Sequence, residues 1–487
     1  MQFLRRILFY IVAAVYAVLC PLLILYALGY IYSPETQKGF VKTGAIYLST
    51  NPQGGSVFVN GEEQAQKTPA LIQELTSGDY SVRISLEGYR HWQAVIPVQK
   101  EEATVLDKIL LLPEKWDIAP ILGGPFEDLI PVQASGYFLL KAGNAGGRTT
   151  VYDYKADSAY PLFSGRDAAA IPDITEVNTV RGSSGILFRA ETPSGKRIYR
   201  AGLTGNKAVV EDVTELLRGG PEGCKWDPDK PELVFFLSGA ELIKADLKEG
   251  AVYPGFMKGV SGFGIESSHI YAIGENTIFR TDLSGEARSS ILDDEEIFSS
   301  IFKPEKTYEV YPFGEDLLFF IGPDGELLSN KLPYRFVETG TLDIEYDRQE
   351  QRLLVLRRDA VGVLDLSFEQ TGEVTFEKAP RMFWMCRDKK EMSQAFFAYG
   401  ASHAVYRQGS EVHLAGVEAY GKNSGGFLLE VKPGSSVYYS EEEGKIYFID
   451  REKGNLNSVT LVPEASLVPD PFEQGSGREK AAKAEER

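Results

Sequence analysis

The residues of this 487-residue chain best suited to nucleophilic or metal chemistry are few: His91, His269, His403 and His413, with Cys20, Cys224 and Cys386. Zinc or haem sites need several such ligands at set spacings, and none occurs. His403 and His413 flank one turn and are the one pair whose spacing would let two imidazoles share a metal. No HExxH, GxSxG or Walker pattern is present. GVSGFG at 259–264 has the glycines of a phosphate loop but lies between strand-like segments, where no helix N-terminus can receive a pyrophosphate. Glu441, Glu442 and Glu443 read as a solvated loop, since calcium takes oxygen ligands at regular intervals. Cys224 and Cys386 allow either one long-range disulfide or two buried thiols, and the thiols are preferred. With 69 acidic residues some carboxylates meet in any fold, so a glycosidase-like pair has no support. No catalytic, cofactor-binding or metal-binding residue is assigned, no cofactor is expected, and the chain reads as a non-enzyme.

The elements that would have to position any site are legible in the apolar pattern. The composition is that of globular protein, 43% hydrophobic and 25% charged, with 48 Gly, 27 Phe and 25 Tyr. Abundant Gly and aromatics suit short strands joined by tight turns. A net charge of −18 repels phosphate backbones and argues against nucleic acid as a partner.

Residues 7–28, ILFYIVAAVYAVLCPLLILYAL, carry no charge and meet the length needed to cross a bilayer. Pro21 is tolerated in a spanning helix. Tyr26, Tyr30 and Tyr32 stand at the distal end, where aromatic rings favour the headgroup layer. The run exceeds a signal-peptide core, and Ala27-Leu28-Gly29 is a poor cleavage site. Val18 and Leu19 before Cys20 lack the small residue of a lipidation signal. Arg5 and Arg6 lie close on one side, Lys38 and Lys42 further off on the other, which predicts a cytoplasmic N-terminus and an extracytoplasmic body. Residues 1–32 are read as tail and spanning helix, and 33–43 as linker.

Period-two alternation then begins. AIYLST is followed by SVFV and Asn60-Gly61, a strong hairpin signal. TPALI, YSVRISL, AVIPV and a last strand within 104–112 complete a small β domain at 44–113. The runs NPQGGSVFVNG, TPALIQEL and SGDYSVRISLEGY resemble a PEGA domain over about residues 43–113. The matching positions are Pro52, Gly54, Gly61, Thr68, Pro69, Gly78, Tyr80, Gly88 and Tyr89, with Gly55 where the family motif has Ala. The resemblance implies a small structural β module of the kind found in prokaryotic extracytoplasmic proteins, and it implies no catalytic residue.

From 120 to 465 an apolar strand, a tight turn and a second strand recur about eight times, roughly every 43 residues. The second strands include TVYDY (Asp153), IYRAGLTGN (Gly202), LIKADLKEG (Asp246), IFRTDLSGE (Asp282), VGVLDL (Asp365) and IYFIDREKG (Asp450). GYFLLKA, GILFRAE, ELVFFLS, SHIYAIG, DLLFFIG, QRLLVLR, SHAVYRQ and SSVYYSE precede the successive turns. The spacing predicts a β-propeller of about eight blades, seven being the alternative, because one sheet cannot bury both faces alone. The repeats resemble quinoprotein-like and TolB-like propellers in general style, CKWDPDKPELVFFL at 224–237 most of all. SFEQTGEVTF at 367–376 has a distant likeness to a sialidase Asp-box, with Glu at the acidic position. The strand-end aspartates are expected to shape turns. Residues 211–218 could form one helical turn, and 470–487 read as a disordered tail.

The chain is thus expected to be all-β behind one N-terminal transmembrane helix. The expected function is a membrane-anchored binding or scaffold protein of a prokaryotic envelope. Its partners would be the bilayer, through residues 7–28, and a protein or glycan on the propeller face. The alternatives are an envelope enzyme, a glycan hydrolase or quinoprotein-like oxidoreductase with its site on the axis, and a structural surface-layer component.

Overall fold

The computed structural model describes residues 2–27, 30–33, 39–132, 134–143, 148–163, 173–192, 195–217, 223–303, 305–331, 336–366, 382–417 and 425–463. Helix α1 spans Gln2–Ala27 with Pro21 inside it. Among the described residues no helix is long and apolar enough to cross a membrane. Residues 7–27 of the expected span lie within α1. The expected linker at 33–43 contains structure: Gly39–Lys42 pairs antiparallel with Tyr30–Ser33, which carries Tyr30 and Tyr32 off the helix end.

Two sheets make the small module. Gly44–Asn51 lies between Ala70–Leu75 and, in parallel, Ala103–Leu110, while Ser56–Val59 and Gly78–Ser85 centre a four-stranded sheet. Asn60 and Gly61, at φ 50° and 89°, form the hairpin turn the Asn-Gly pair predicts. The Gly54 N–H donates to Thr68 O at 2.8 Å and the Gly55 N–H to Thr68 Oγ1 at 2.9 Å. The glycine turn and the Thr-Pro segment, far apart in sequence, are therefore one hydrogen-bonded unit. A Cβ at Gly55 would stand 2.6 Å from Ile84 Cγ2, so glycine fits here where the family motif has alanine.

Residues 118–460 form eight four-stranded sheets among the described residues. We number them sheet 1 (126–161), sheet 2 (173–212), sheet 3 (225–258), sheet 4 (262–292), sheet 5 (309–338), sheet 6 (341–387), sheet 7 (392–430) and sheet 8 (438–460 with 118–122). Sheets 1 to 7 are four consecutive antiparallel strands each. Sheet 8 is composite: Ile118–Leu122, from the start of the body, pairs with Leu456–Thr460 at its end.

Both faces of each sheet are apolar, because the second strands are continuous hydrophobic runs. Alternate residues go to opposite neighbours. In sheet 6, Leu353 and Val355 pack towards sheet 5, and Leu354 and Leu356 towards sheet 7. The same partition continues round the body, and one cluster joins Tyr447 and Ile449 of sheet 8 to Phe138 and Leu140 of sheet 1.

The strand-end aspartates act as turn formers. Asp246 accepts from the N–H groups of Lys248 and Glu249, Asp282 from Gly285 and Glu286, and Asp450 from Glu452 and Lys453. The one helix of the body among the described residues is not at 211–218, where the strand Lys207–Asp212 runs into a turn; it is α2, Glu295–Ile301. Asp294 caps it by accepting from the Ile297 N–H, and Phe298 and Ile301 pack between sheets 4 and 5.

The module is docked on the body. Its core residues Ile46, Val57, Ile84 and Trp92 share one apolar cluster with Leu354, Val361, Met392 and Phe397 of sheets 6 and 7. Lys108 Nζ donates to Glu350 at 2.7 Å and to Gly400 O at 3.1 Å, Arg90 to Phe427 O at 3.1 Å, and Asn51 Nδ2 to Pro463 O at 3.0 Å. All of these acceptors lie at the end of the sheets that carries the first-to-second-strand turns.

The glycines of GVSGFG have a structural cause. A Cβ on Gly262 would lie 2.4 Å from Tyr308 O, and one on Gly264 would lie 2.5 Å from Val310 O, so the first strands of sheets 4 and 5 touch backbone to backbone. Gly264→Ala is expected to cost about 1–3 kcal/mol by overpacking, measured by chemical unfolding; an unchanged midpoint would show that these strands have room to part.

Candidate functional site at the ring axis

The first strand of each sheet has one paired side and one open backbone edge. Buried open edges need partners. Polar side chains supply them by reaching from one sheet to the next. Asn178 Nδ2 (sheet 2) donates to Cys224 O, beside sheet 3, at 2.6 Å. Gln394 (sheet 7) both donates to Val437 O at 2.7 Å and accepts from the Val437 N–H at 3.0 Å. Asp128 (sheet 1) accepts from the Ser436 N–H at 3.1 Å, and Lys432 Nζ donates to Phe126 O at 2.9 Å. The first strands thus face a common axis with a lining of polar groups.

Two clusters stand out there. Lys225 of sheet 3 donates to Phe263 O of sheet 4 at 3.0 Å and to Val310 O of sheet 5 at 3.3 Å, and its ammonium lies 5.8 Å from the centre of the Tyr311 ring. Desolvation pushes its amine down to about 8, against the opposing pull of Glu309. Tyr311 Oη donates to Glu309 Oε2 at 2.7 Å. Asp343 of sheet 6 is raised by desolvation and by the like charge of Glu309.

The second cluster lies at the module-bearing end. Arg181, on the first turn of sheet 2, reaches Glu345 of sheet 6 at 3.7 Å. Sheets 2 and 6 are on opposite sides of the sequence of eight, so this pair crosses the axis. Arg348, on the first turn of sheet 6, pairs with Glu266 of sheet 4. Glu345 also accepts from the Phe397 N–H at 2.8 Å, and Glu266 from the Gly314 N–H at 2.7 Å. Burial raises the Glu345 carboxyl, and the Phe397 N–H and Arg181 pull it back.

The residues singled out in the sequence do not converge on this axis. His403 pairs across its hairpin with Gly416 and His413 with Tyr406, which puts the two imidazoles about 10 Å apart along the strands and on opposite faces. His403 is buried, 2.8 Å from Ser402 Oγ, and desolvation pushes it down to about 3. His413 contacts Glu411 at 3.1 Å, His269 contacts Ser267 O at 2.8 Å, and His91 is exposed. Among the described residues no group of three or more His, Cys, Asp and Glu could hold a metal.

None of the three cysteines is in a disulfide. Cys224 lies in the apolar layer between sheets 2 and 3, where burial pushes it up to about 12, and Cys386 is half-buried in sheet 6. The run Glu441, Glu442 and Glu443 is more than a solvated loop. Glu441 accepts from the Gly400 N–H at 2.8 Å, Glu442 from Lys155 at 2.5 Å and Glu443 from Tyr447 Oη at 2.5 Å, tying sheet 8 to both neighbours. The 367–376 segment lies outside the described residues. Trp226 of CKWDPD is buried and donates to Ser183 Oγ at 3.0 Å, a packing role.

Reasoning on catalytic motifs missed Lys225, Glu309, Asp343, Glu345 and Arg181. A signal was present. In TLDIEYD the acidic residues 343 and 345 alternate with Ile344, which is buried between sheets. Charge on the other face of a first strand marks the axis.

Residues 43–111 match the PEGA domain model, so the chain carries a PEGA domain there. No curated protein sequence matches the chain. Among solved structures, the β-propeller domain of Cps50 (Swd1) from Myceliophteria thermophila is 11% identical, covering 71% of this chain and 99% of its own, at a TM-score of 0.37. Hsv2 from Kluyveromyces lactis is 9% identical over 71% and 99%, and apo AztD from Citrobacter koseri 10% over 79% and 96%, both at 0.37. The propeller-like fold rests on the sheet order itself.

Lys225 gives this region a measurable signature. From about pH 8 to the ordinary lysine value of 10.5 the native chain binds one proton fewer at this position than the unfolded chain. Its contribution to stability therefore rises with pH across that window. The difference in unfolding free energy between the protein and Lys225→Met is expected to change by up to about 3 kcal/mol between pH 7.5 and 10.5. A difference independent of pH would mean that the amine is solvated.

Proposed function

We propose that this chain is a membrane-anchored, extracytoplasmic binding or scaffold protein of a prokaryotic cell envelope. The eight sheets are the blades of one closed propeller, the PEGA domain fixes that propeller to its anchor, and the propeller recognises a protein or glycan.

The observation that carries the reading is the closure of the body. Sheet 8 takes its outer strand from residues 118–122, immediately after the PEGA domain, so anchor side and ring are covalently and sterically continuous. A ring with a polar axis and turns from eight blades at each end is suited to recognition, and it is a general platform that dictates no chemistry.

Support for the anchor comes from α1. Phe9, Tyr10, Val12, Val15, Tyr16, Val18, Leu19, Leu23 and Ile24 are all more than half exposed, and at 100° per residue they cover every side of the helix. A helix whose described side chains are apolar and exposed on every side has lipid as its natural surroundings. The flanking Arg5 and Arg6 favour a cytoplasmic N-terminus. The PEGA domain, a structural module of extracytoplasmic proteins, agrees with that orientation.

Removal of residues 1–29 keeps the Tyr30–Ser33 strand and is expected to release a soluble, folded, all-β protein from membranes. A product that stays membrane-bound or fails to fold would overturn the layout. Cross-linking and pull-down of the full chain from its native envelope should recover a protein or glycan partner, and protease added outside intact cells should reach the body.

A further inference from the structure

We propose that the PEGA domain is a load-bearing clasp: pull arriving from the N-terminal side is carried by its contacts with sheets 6, 7 and 8 and is kept off the strand that closes the ring. This rests on the reading above of an anchored, closed propeller.

The closing strand is weak by itself. Ile118–Leu122 is the outer strand of sheet 8, paired on one side only, with a shift of register between Pro120 and Leu122. Ile118, Ala119 and Pro120 are exposed, so little apolar burial holds them. Pro120 has no N–H to donate. This strand is also where the chain enters the ring from the anchor side. An edge strand pulled from one end peels, and its hydrogen bonds carry the full load one after another. A tether joined to it directly would open the ring at its weakest place.

The PEGA domain stands in that path. The Leu111 N–H donates to Asn51 O at 2.9 Å and the Glu114 N–H to Gly88 O at 2.9 Å, while Leu112 O accepts from the Arg90 N–H at 2.8 Å. Only Lys115, Trp116 and Asp117 separate this bound segment from the closing strand. The domain is bound in turn to the ring. Lys108 holds the first turns of sheets 6 and 7, and Arg90 holds the outer strand of sheet 7. Leu110 and Leu112 are buried in one layer with Leu414 of sheet 7 and with Ile446 and Val459 of sheet 8.

Asn51 joins the two ends of the ring. Its carbonyl holds Leu111 on the way in. Its side-chain amide donates to Pro463 O at 3.0 Å, just past Leu456–Thr460, the strand that pairs with Ile118–Leu122. Tyr399, on the first turn of sheet 7, is hydrogen-bonded to the same side chain. Pull on the domain must therefore break contacts to three sheets together before any slack reaches residue 118. Contacts loaded together share the force, whereas those of a peeling strand do not. Forced opening is set by the barrier to the first rupture, and the clasp raises that barrier.

The test pulls the purified full chain between handles at Ser33 and at Glu249, the latter on an exposed turn of sheet 3. The native chain is expected to hold until the domain leaves the ring. In N51A/R90A/K108A the first event is expected at lower force, as a step of up to about 3 nm, the stretched length of 113–122 at about 3.4 Å per residue. Hydrogen exchange without load gives a second reading. Amides of 118–122 and 456–460 should exchange at least ten-fold faster in N51A, with 225–292 unchanged, which also shows that the variant is folded. N330A removes a comparable side-chain amide from sheet 5 and should leave 118–122 unchanged. The proposal is overturned if the native chain shows the short step at the same force as the triple variant, or if the variant ruptures like the native chain. It is equally overturned if N51A speeds exchange in every sheet alike or in none, or if N330A acts on 118–122 as N51A does. Because the load is applied through handles, these outcomes do not depend on α1 lying in lipid; the anchor is judged separately by the release of the chain lacking residues 1–29.

Discussion

The fold depends on burying both faces of every sheet. A sheet whose second strand reads LLVL or LFFI has no solvent-facing side, and a single four-stranded sheet of that kind cannot persist in water. Packing sheet on sheet solves the problem for all but the two ends of a row. Only when the last sheet meets the first does the exposed face disappear, and here Phe138 and Leu140 meet Tyr447 and Ile449. The strand Ile118–Leu122 then ties the two ends of the chain by hydrogen bonds as well. Unfolding any one sheet exposes the faces of two neighbours, so the ring is stabilised as a unit.

Closure creates the polar axis. First strands brought together around a line present unpaired backbone edges to each other, and water in a narrow interior is a poor substitute for fixed partners. Asn178, Lys225, Gln394 and Asp128 meet that demand. Their polar character is a consequence of geometry before it is a functional device. The charged pairs at the PEGA-bearing mouth are different in kind, since Arg181 and Arg348 are largely exposed and satisfy no backbone edge.

Much of the architecture was legible in the sequence because it rests on local signals. The Asn60-Gly61 hairpin, the strand-end aspartates and the apolar second strands each follow from chemistry within a few residues. The PEGA segment was legible because its glycines and prolines occupy fixed offsets. What was not legible depends on distant parts of the chain meeting. SSVYYSE, grouped with the strands that precede the turns, such as GYFLLKA, is the first strand of sheet 8 where GYFLLKA is the second strand of sheet 1, and the slip of one strand arises because sheet 8 takes its outer strand from residues 118–122. The outer strands were missed as they are short and half-polar. Helix α2, at seven residues, is too brief for periodicity to register and is held by burial of Phe298 and Ile301 between two sheets. The axis residues were hidden for a related reason: a charge within a strand looks solvent-facing until a ring turns that face inward.

Docking of the PEGA domain changes what such a module can do. A free stalk transmits position but not orientation, whereas a module sharing a core with sheets 6 and 7 and pinned by Lys108, Arg90 and Asn51 transmits both. The hairpin Tyr30–Ser33 with Gly39–Lys42 extends the same continuity towards α1, with Lys42 paired to Glu101 of the module. The ring is therefore held with one chosen end beside its support. A linker that only joined two domains would need none of these contacts. Their presence argues that the orientation of the ring relative to the PEGA domain is itself part of what the fold provides.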